Sequence, residues 1–352
     1  MGPTERLRRA IAETGPVTFA TFMEAALLGQ GGFFEEPPVG TEGAFLTAPH
    51  VHPVFIDLVR FAIGDLRASL GSPEPLRLVD LGAGDGTLLA GLVDGFRDVD
   101  GVTIDAAGVD ASGGARRRLA ARGVAAAAHL TDLPPGDPAV VVANELLDNL
   151  PFRWLRSTED GFREIRIDDV DGEFVPIETP CDAALADLAG DTPEGCDAFV
   201  SPAALDLVDD LATWLRRGYA LVIDYGWPDR PAREVHGYRD HRFVGDVLGD
   251  PGSRDITAGV DFGAIERHAR DRGLVVLGSA TQADALRALG YDAWQAQQRD
   301  RQAAMLGSGD HLRALRAWEG RGLASVLVDP ERLGGFRWLL LATPGLPAPD
   351  WL

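Results

Sequence analysis

One stretch of this sequence has the residue types and spacing of a ligand-binding turn. It reads Asp80-x-Gly82-x-Gly84-x-Gly86, and it follows the apolar run 76–81 and precedes the helical run 87–96. Glycines at a strand-to-helix turn let the backbone fold tightly and let a ligand approach the main chain. The pattern therefore predicts a binding loop at the end of a strand.

The glycine spacing bears on the kind of ligand. Gly-x-Gly-x-x-Gly is the dinucleotide pattern, which places a pyrophosphate at a helix N-terminus. Here the spacing is Gly-x-Gly-x-Gly, and the carboxylate of Asp85 would oppose a pyrophosphate. S-adenosylmethionine has no phosphate and carries a sulfonium and an ammonium, so the pattern favours it over a nicotinamide cofactor. Asp110, at the end of the next predicted strand, is suited to bind both ribose hydroxyls. A helix-packing turn without a ligand is the remaining interpretation.

A second candidate cluster follows the apolar run 139–143. Asn144 and Glu145 come directly after it, and Asp148 lies about one helical turn further on. Ligands of open parallel sheets bind beyond the carboxyl ends of the strands. Two carboxylates there could hold a guanidinium through paired hydrogen bonds. They could equally cap a helix N-terminus.

These residues depend on a framework of strands and helices. The predicted strands are 76–81, 103–109, 124–129, 139–143, 219–224, 275–278 and 336–343. Helical runs separate most of them, which is typical of a doubly wound parallel sheet. Residues 152–178 alternate apolar and polar and predict a β-hairpin, whereas 226–260 show no clear period.

Composition excludes several classes of protein. The 352 residues include 33 basic and 54 acidic side chains, a net charge of −21, which disfavours binding to nucleic-acid backbones. No lysine is present, which excludes Schiff-base and P-loop chemistry. The two cysteines and the lack of a long apolar stretch predict a reduced, cytoplasmic protein without a membrane span.

Together these motifs resemble the MidA-type methyltransferases, whose mitochondrial members are complex I assembly factors that methylate an arginine. The similarity runs over nearly the whole chain, and the segments that carry it are 15–27, 32–34, 47–50, 80–86, 144–151, 223–226 and 255–262. The sequences Asn144-Glu145-Leu146-Leu147-Asp148-Asn149-Leu150-Pro151 and Asp255-Ile256-Thr257-Ala258-Gly259-Val260-Asp261-Phe262 are the most specific.

The resemblance implies an α/β fold of the class I S-adenosylmethionine-dependent methyltransferase type, a Rossmann-like seven-stranded sheet whose last strand is antiparallel. It also implies a division of the chain. The expected parts are an N-terminal helical cap (1–75), the first half of the cofactor-binding core (76–151), a hairpin insertion (152–200), the second half of the core with an active-site loop at 226–260 (201–280), a helical insertion (281–330), and the final strand and tail (331–352). The cap and the insertions should build the lid and the substrate cleft.

The motifs and the resemblance predict three groups of site residues and no metal ligands. The expected cofactor contacts are Thr47, Asp80, Gly82, Ala83, Gly84, Gly86, Asp110, Asp132 and Asn144. The expected catalytic residues are Glu145, Asp148 and His241. The expected substrate contacts are Asp224, Tyr225, Asp255 and Asp261. Asp261 also reads as a helix cap, Asp255 as a residue that holds the long loop, and His241 as a loop histidine.

The implied activity is methyl transfer from S-adenosylmethionine to a protein arginine, with a role in respiratory complex I assembly. His50 stands where the family has an acid, and Phe33-Phe34 lack its tyrosine hydroxyls. These departures favour a second hypothesis, a small-molecule acceptor. A third is a binding or assembly protein without catalysis. The absence of a mitochondrial transit segment favours a bacterial cytoplasmic setting, and a homodimer is possible.

Overall fold

The apolar runs that the sequence marks as strands form the centre of the protein. The computed structural model describes residues 1–35, 47–239 and 242–352. In these ranges the strands are β1 (Val17–Thr18), β2 (Leu76–Leu81), β3 (Ile104–Val109), β4 (Ala125–Ala127), β5 (Ala139–Asn144), β6 (Arg153–Thr158), β7 (Gly161–Val170), β8 (Glu173–Pro180), β9 (Asp197–Val200), β10 (Gly218–Asp224), β11 (Gly226–Trp227), β12 (His236–Arg239), β13 (Arg242–Val244), β14 (Asp255–Thr257), β15 (Val260–Asp261), β16 (Val275–Thr281) and β17 (Arg337–Ala342).

The α-helices lie between these strands and at both ends of the chain. In the same ranges they are α1 (Pro3–Thr14), α2 (Phe19–Leu27), α3 (Ala48–Val51), α4 (Val54–Ser69), α5 (Thr87–Gly95), α6 (Gly113–Ala121), α7 (Ala183–Ala189), α8 (Pro202–Trp214), α9 (Phe262–Asp271), α10 (Gln282–Ala288), α11 (Tyr291–Gly307) and α12 (His311–Ser325). None of the helices in the described ranges is both long and apolar enough to cross a membrane.

Seven strands form the main sheet, in the order β16-β17-β10-β5-β2-β3-β4. The last strand, β17, pairs antiparallel with both of its neighbours, and the pairs among the other five are parallel. This confirms the predicted seven-stranded α/β fold with an antiparallel last strand. The carboxyl ends of β2, β3 and β5 consequently lie side by side.

The sheet is covered on both faces, which explains why its strands are apolar without alternation. Successive side chains of a strand point to opposite faces. Val140 and Val142 of β5 therefore pack with α4 and α5, whereas Val141 and Ala143 pack with α8 and α9. Every residue of β5 and β10 is buried.

A second, antiparallel sheet occupies the region where the sequence predicts a single hairpin. Strands β6, β7 and β8 follow one another, β9 pairs with β6, and β1 from the N-terminal segment pairs with β7. Two tight turns, with Gly161 and Gly172 at positive φ, create two hairpins instead of one. The pairings of β1 and β9 join distant parts of the chain, so local alternation does not reveal them.

The segment 226–260 also differs from its expected description as a stretch without period. Strands β11, β12, β14 and β15 lie in it, together with β13, and each is two to four residues long. A strand this short carries no readable alternation. Strand β14 runs beside the site described below.

Phe19, at the start of α2, joins the N-terminal segment to the second sheet. It is fully buried, and its ring lies 5.5 Å from that of Phe152 and 5.6 Å from that of Trp154 between centroids. Aromatic pairs at such distances add to the energy of apolar burial. The N-terminal helices are thus part of a continuous core.

We expect Phe19→Ala to lower the free energy of unfolding by about 3–5 kcal/mol, the usual loss when a buried Phe is truncated. Phe61→Ala, which removes a ring that is 48% exposed, is the matched control and should cost much less. Urea unfolding followed by circular dichroism measures both. Equal losses for the two variants would contradict the tight packing of the N-terminal segment.

Candidate functional site

A large cavity opens at the carboxyl ends of β2, β3 and β5. Its volume is about 790 Å³. The predicted residues that line it are Thr47, Asp80, Gly82, Ala83, Gly84, Asp110, Asn144 and Glu145. The fold thus brings together the Gly-rich turn, the acid after β3 and the Asn-Glu pair after β5.

The three glycines of the turn have different environments, although all have positive φ. A Cβ on Gly82 would lie 2.9 Å from Leu146 Cδ1, and one on Gly86 would lie 2.9 Å from Leu119 Cδ2. A Cβ on Gly84 would meet only the carbonyl oxygen of Gly82, at 3.8 Å. Gly84 therefore presents open backbone to the cavity, whereas Gly86 precedes α5 outside the cavity lining, and its role as a cofactor contact stays a prediction.

Asp110 holds the turn in place, and its carboxylate oxygens can still accept further hydrogen bonds. Its Oδ2 accepts from the N–H of Gly84 at 2.9 Å and its Oδ1 from the N–H of Ser112 at 2.8 Å. A carboxylate oxygen can accept two hydrogen bonds, so each retains one free position. Burial raises the pKa of Asp110 above its usual range.

Asp80 and Asn144 form the floor of the cavity at the ends of β2 and β5. Both are buried, and the Oδ1 of Asn144 has no hydrogen-bond partner. Burial, together with the nearby carboxylates of Asp110 and Asp85, raises the pKa of Asp80 to about 8. A buried acceptor without a donor and a carboxyl without a cation both favour a ligand that carries N–H groups or positive charge.

Thr47 and His50 form a hydrogen-bonded chain with Asp85 on one wall. Thr47 Oγ1 lies 2.8 Å from His50 Nδ1, and His50 Nε2 lies 3.1 Å from Asp85 Oδ2. Although burial raises the pKa of Asp85, the hydrogen bonds from His50 and Thr87 lower it to about 2. Asp85 is therefore ionised and already paired.

Glu145 enters the cavity from a strained backbone position. Its φ is +54°, a conformation uncommon for residues other than glycine. Its Oε1 accepts from the N–H of Ala48 at 2.8 Å and from Asn144 Nδ2 at 3.2 Å, and among the described residues no donor reaches Oε2. Burial, with the neighbouring charge of Asp148, raises the pKa of Glu145 to about 8.

Asp224 holds the Glu145 turn but does not reach the cavity. It is fully buried, and its Oδ2 accepts from the N–H groups of Leu146, Leu147 and Asp148 at 2.8–3.3 Å. Its Oδ1 accepts from the N–H of Tyr225 at 2.8 Å. These four hydrogen bonds account for its burial away from the cavity lining, and its role as a substrate contact stays a prediction.

Asp148, Thr257 and Tyr225 form a second hydrogen-bonded chain behind Glu145. The Tyr225 hydroxyl lies 2.9 Å from Thr257 Oγ1, which donates to Asp148 Oδ2 at 2.6 Å. The Oδ1 of Asp148 is buried without a partner. Burial raises the pKa of Asp148 to about 6. Neither Asp148 nor Tyr225 lines the large cavity.

Asp255 anchors β14 to the turn after Glu145. Its Oδ1 accepts from Asn149 Nδ2 at 2.8 Å and from the N–H of Ile256 at 2.8 Å. Burial, together with Asp148, raises the pKa of Asp255 to about 8. This geometry matches the interpretation that Asp255 holds the long loop, and Asp255 does not line the large cavity.

Two further predicted residues lie apart from the lining of the large cavity. Asp261 caps α9 through the N–H of Ala264 at 2.9 Å, as its helix-cap interpretation holds. Asp132 is exposed, accepts from the N–H of His129 at 3.0 Å and does not line the cavity, so its role as a cofactor contact stays a prediction. His241 lies outside the described residues.

The sequence analysis missed the opposite wall of the cavity, which α2 and α8 supply. Its side chains are those of Met23, Glu24, Leu27, Ala203, Asp206, Leu207 and Asp210. No motif marks them, because a helix face becomes a cavity wall only through tertiary packing. The three acidic members add negative charge around the cavity.

Buried acids dominate the chemistry of this site. Glu145, Asp148, Asp224 and Asp255 lie close enough to raise one another's pKa values. Among the described residues, none of the four forms an ion pair with Arg or His. The arrangement suits ligands that donate hydrogen bonds or carry positive charge.

The profile of the Methyltransf_28 family of S-adenosyl-L-methionine-dependent methyltransferases matches residues 63–280, more than half of the chain. The chain belongs to this family, and S-adenosylmethionine is its cofactor. This agrees with the resemblance that the motifs indicated.

Solved structures support the same assignment over the whole chain. A COG1565 superfamily member from Burkholderia thailandensis, bound to S-adenosyl-homocysteine, is 29% identical with a TM-score of 0.85, covering 99% of this chain and 94% of that one. A native structure of a COG1565 superfamily protein from the same organism is 30% identical, with a TM-score of 0.79. It covers 97% of this chain and 91% of that one.

Curated relatives include mitochondrial protein arginine methyltransferases. The protein arginine methyltransferase NDUFAF7 of Xenopus tropicalis is 27% identical over 315 residues, covering 78% of this chain and 72% of the relative. The human NDUFAF7 is 27% identical over 305 residues, covering 74% and 67%.

Because the pKa of Asp255 is raised in the folded protein, the free energy of unfolding should fall as pH rises. The folded state retains a proton on this group up to about pH 8, whereas the unfolded state releases it near its ordinary value of 3.8. The free energy of unfolding therefore falls as pH rises between these values, by at most about 1.4 kcal/mol per pH unit for one group.

We expect Asp255→Asn, which keeps the Oδ1 acceptor, to flatten this slope in urea titrations at pH 5.5–8.5. Asp187→Asn removes one exposed carboxylate and is the control. An unchanged slope in Asp255→Asn would show that Asp255 is ionised in the folded protein.

Proposed function

We propose that this methyltransferase transfers a methyl group to an arginine guanidinium of a protein substrate. The carrying observation is the carboxyl of Glu145, which lines the cavity, keeps a free Oε2 and has no cationic partner among the described residues. A guanidinium offers five N–H donors and a permanent positive charge. It would supply the hydrogen-bond donors and the positive charge that the cavity lacks. The names of the curated relatives support the same acceptor.

The residues of the cavity fit the cofactor of the family. We assign Asp110 to the ribose hydroxyls, because each of its oxygens retains one position for a donor. We assign Asp80 to the ammonium of the methionine end, which would draw its raised pKa down again. We also assign the open backbone of Gly84 and the free Oδ1 of Asn144 to contacts with the cofactor.

S-adenosylmethionine supplies an activated methyl group, so the protein mainly has to position the acceptor and receive a proton. Oriented reactants can lower a barrier by ~7–11 kcal/mol. We assign the free Oε2 of Glu145 to the guanidinium N–H groups. An arginine must lose a proton around the transfer step. Glu145 can accept that proton in its ionised form, which the positive charge of a bound guanidinium would favour by lowering its raised pKa.

Asp148 acts through Glu145 in this assignment. Its negative charge raises the pKa of Glu145, and it leads through Thr257 to the Tyr225 hydroxyl. Asp148 and Tyr225 are positioning residues here.

The runner-up is a small-molecule acceptor on the same scaffold. His50 stands where the family has an acid, so this position of the cavity wall supplies no carboxylate. Its ring is hydrogen-bonded to Thr47 and Asp85. The aromatic side chain of Phe34 lines the same cavity. Both features suit a flatter, less charged acceptor.

We further propose a bacterial cytoplasmic setting and a role in respiratory complex I assembly. The first rests on the arginine-only basic composition, which fits a GC-rich genome, and on two partly buried free cysteines. The second rests on the family resemblance alone. A non-catalytic assembly role is the third alternative, and purified protein that binds cofactor but never transfers methyl would establish it.

Methyl-labelled S-adenosylmethionine, the purified protein and lysate from a host that lacks the gene test the acceptor directly. We expect a labelled protein band that yields methylarginine on hydrolysis. Label confined to small molecules would establish the runner-up, and no label anywhere would remove the support for arginine.

In the same assay we expect Glu145→Gln to reduce turnover by at least about 100-fold, the usual range for a lost acid or base. Glutamine keeps the oxygen that accepts from Ala48, so affinity for S-adenosylhomocysteine should stay within a few-fold. Glu74→Gln, a change at a distant exposed carboxylate, is the control. Unchanged turnover in Glu145→Gln would remove Glu145 from the mechanism.

The cofactor assignment has its own test. We expect Asp110→Asn to weaken binding of S-adenosylhomocysteine at least about tenfold in calorimetry, since hydrogen bonds to a charged group contribute roughly 1.5–3 kcal/mol. Asp132→Asn, outside the cavity, should bind normally. Equal affinity in the two variants would contradict the ribose assignment.

A further inference from the structure

Helices α11 and α12 form a hairpin with an exposed apolar face. On α12, Leu312, Leu315 and Leu323 are 74%, 50% and 58% exposed, and Trp318 beside them is 57% exposed. At 100° per residue, Leu312, Leu315 and Leu323 fall on one side of the helix. Single exposed apolar residues are ordinary, but a contiguous stripe of them marks an interaction site.

The stripe faces away from the rest of the protein. Ala314 and Ala324, on the other side of α12, are buried. The hairpin itself is attached beside the cavity, where the ring centroids of Trp294 on α11 and His52 lie 5.0 Å apart. The exposed stripe is thus on the side of α12 opposite its buried alanines.

Two opposite charges lie within this stripe. Arg316 and Glu319 fall between the leucines on the same side of α12, and both are exposed. Within the described part of the chain neither forms an ion pair, although Arg313 on the same helix pairs with Asp310. The point midway between Arg316 and Glu319 along the helix is also midway between Leu312 and Leu323.

We propose that this stripe binds the same stripe of a second copy of the chain, with the two α12 helices antiparallel. A two-fold axis midway between Ala317 and Trp318 places Leu312 opposite the partner's Leu323. The same axis places Arg316 opposite the partner's Glu319. Each pair occurs twice, so one helix supplies a self-complementary set of apolar and charged contacts, as a two-fold interface requires.

The distribution of charge favours contact between two copies of the chain at this hairpin over contact at other, more acidic parts of their surfaces. The whole chain has a net charge of −21, so two copies repel one another at most orientations. The hairpin 291–325 holds five arginines and four acidic residues, a net charge of +1. It is a place where two copies can approach without that repulsion.

The face is also long enough for a stable helix pair. Leu312 and Leu323 are separated by about 16 Å along the axis, or three helical turns. Leu306 at the end of α11 is also exposed and extends the apolar surface toward the hairpin tip.

Charge exchange across the axis tests this proposal. Light scattering and sedimentation of the full-length protein should give twice the 37.5 kDa of one chain. Arg316→Glu would face the partner's Glu319, and Glu319→Arg would face the partner's Arg316. Because like charges in contact cost several kcal/mol, each single variant should raise the dimer dissociation constant at least about tenfold.

The double variant Arg316→Glu with Glu319→Arg restores opposite charges and should restore the dimer. Arg9→Glu makes the same charge change on the distant α1 and should leave the dimer intact. A monomeric wild-type protein would overturn the proposal, whether or not a different protein binds the stripe. So would a dimer that tolerates both single variants, or a double variant that stays monomeric. These readouts do not depend on methyl transfer.

Discussion

The buried carboxylate of Asp224 is the interaction on which the site depends. It lies at the end of β10, and its two oxygens accept four backbone N–H groups, three of them from the turn that follows β5. Because β5 and β10 are paired in register up to Asn144 and Ile223, this carboxylate fixes the chain immediately beyond the last ladder position. Only a turn held this tightly can keep Glu145 at φ +54° and aimed into the cavity.

Such an arrangement costs stability. Burying carboxyls near one another disfavours their charged forms, and the pKa values of Glu145, Asp148 and Asp255 rise accordingly. A fold selected for stability alone would use apolar residues here. The raised pKa of Glu145 favours its protonated form in the free site, and a cation bound beside its Oε2 would favour the ionised form.

The sequence predicts the main sheet well, because continuous apolar runs that end in Gly, Asp or Asn are local signals. It predicts the second sheet poorly, since β1 and β9 gain their partners from distant segments. The same limit applies to the site. The motifs identify Asp80, Asp110, Asn144 and Glu145 by position, but the direction of a side chain is set by its neighbours. Asp224, which shares a motif with Tyr225, turns toward backbone donors and not toward a ligand.

The cavity has two walls of different origin. Loops after β2, β3 and β5 build one, and their hydrogen bonds are internal to the main sheet and its turns. Helices α2 and α8 build the other with Glu24, Asp206 and Asp210, and they carry no sequence motif. Substitutions on the second wall can change the acceptor without disturbing the Gly-rich turn. The Gly-rich turn therefore bears on the methyl donor, whereas α2, α8 and the His50 chain would select which acceptor enters the cavity.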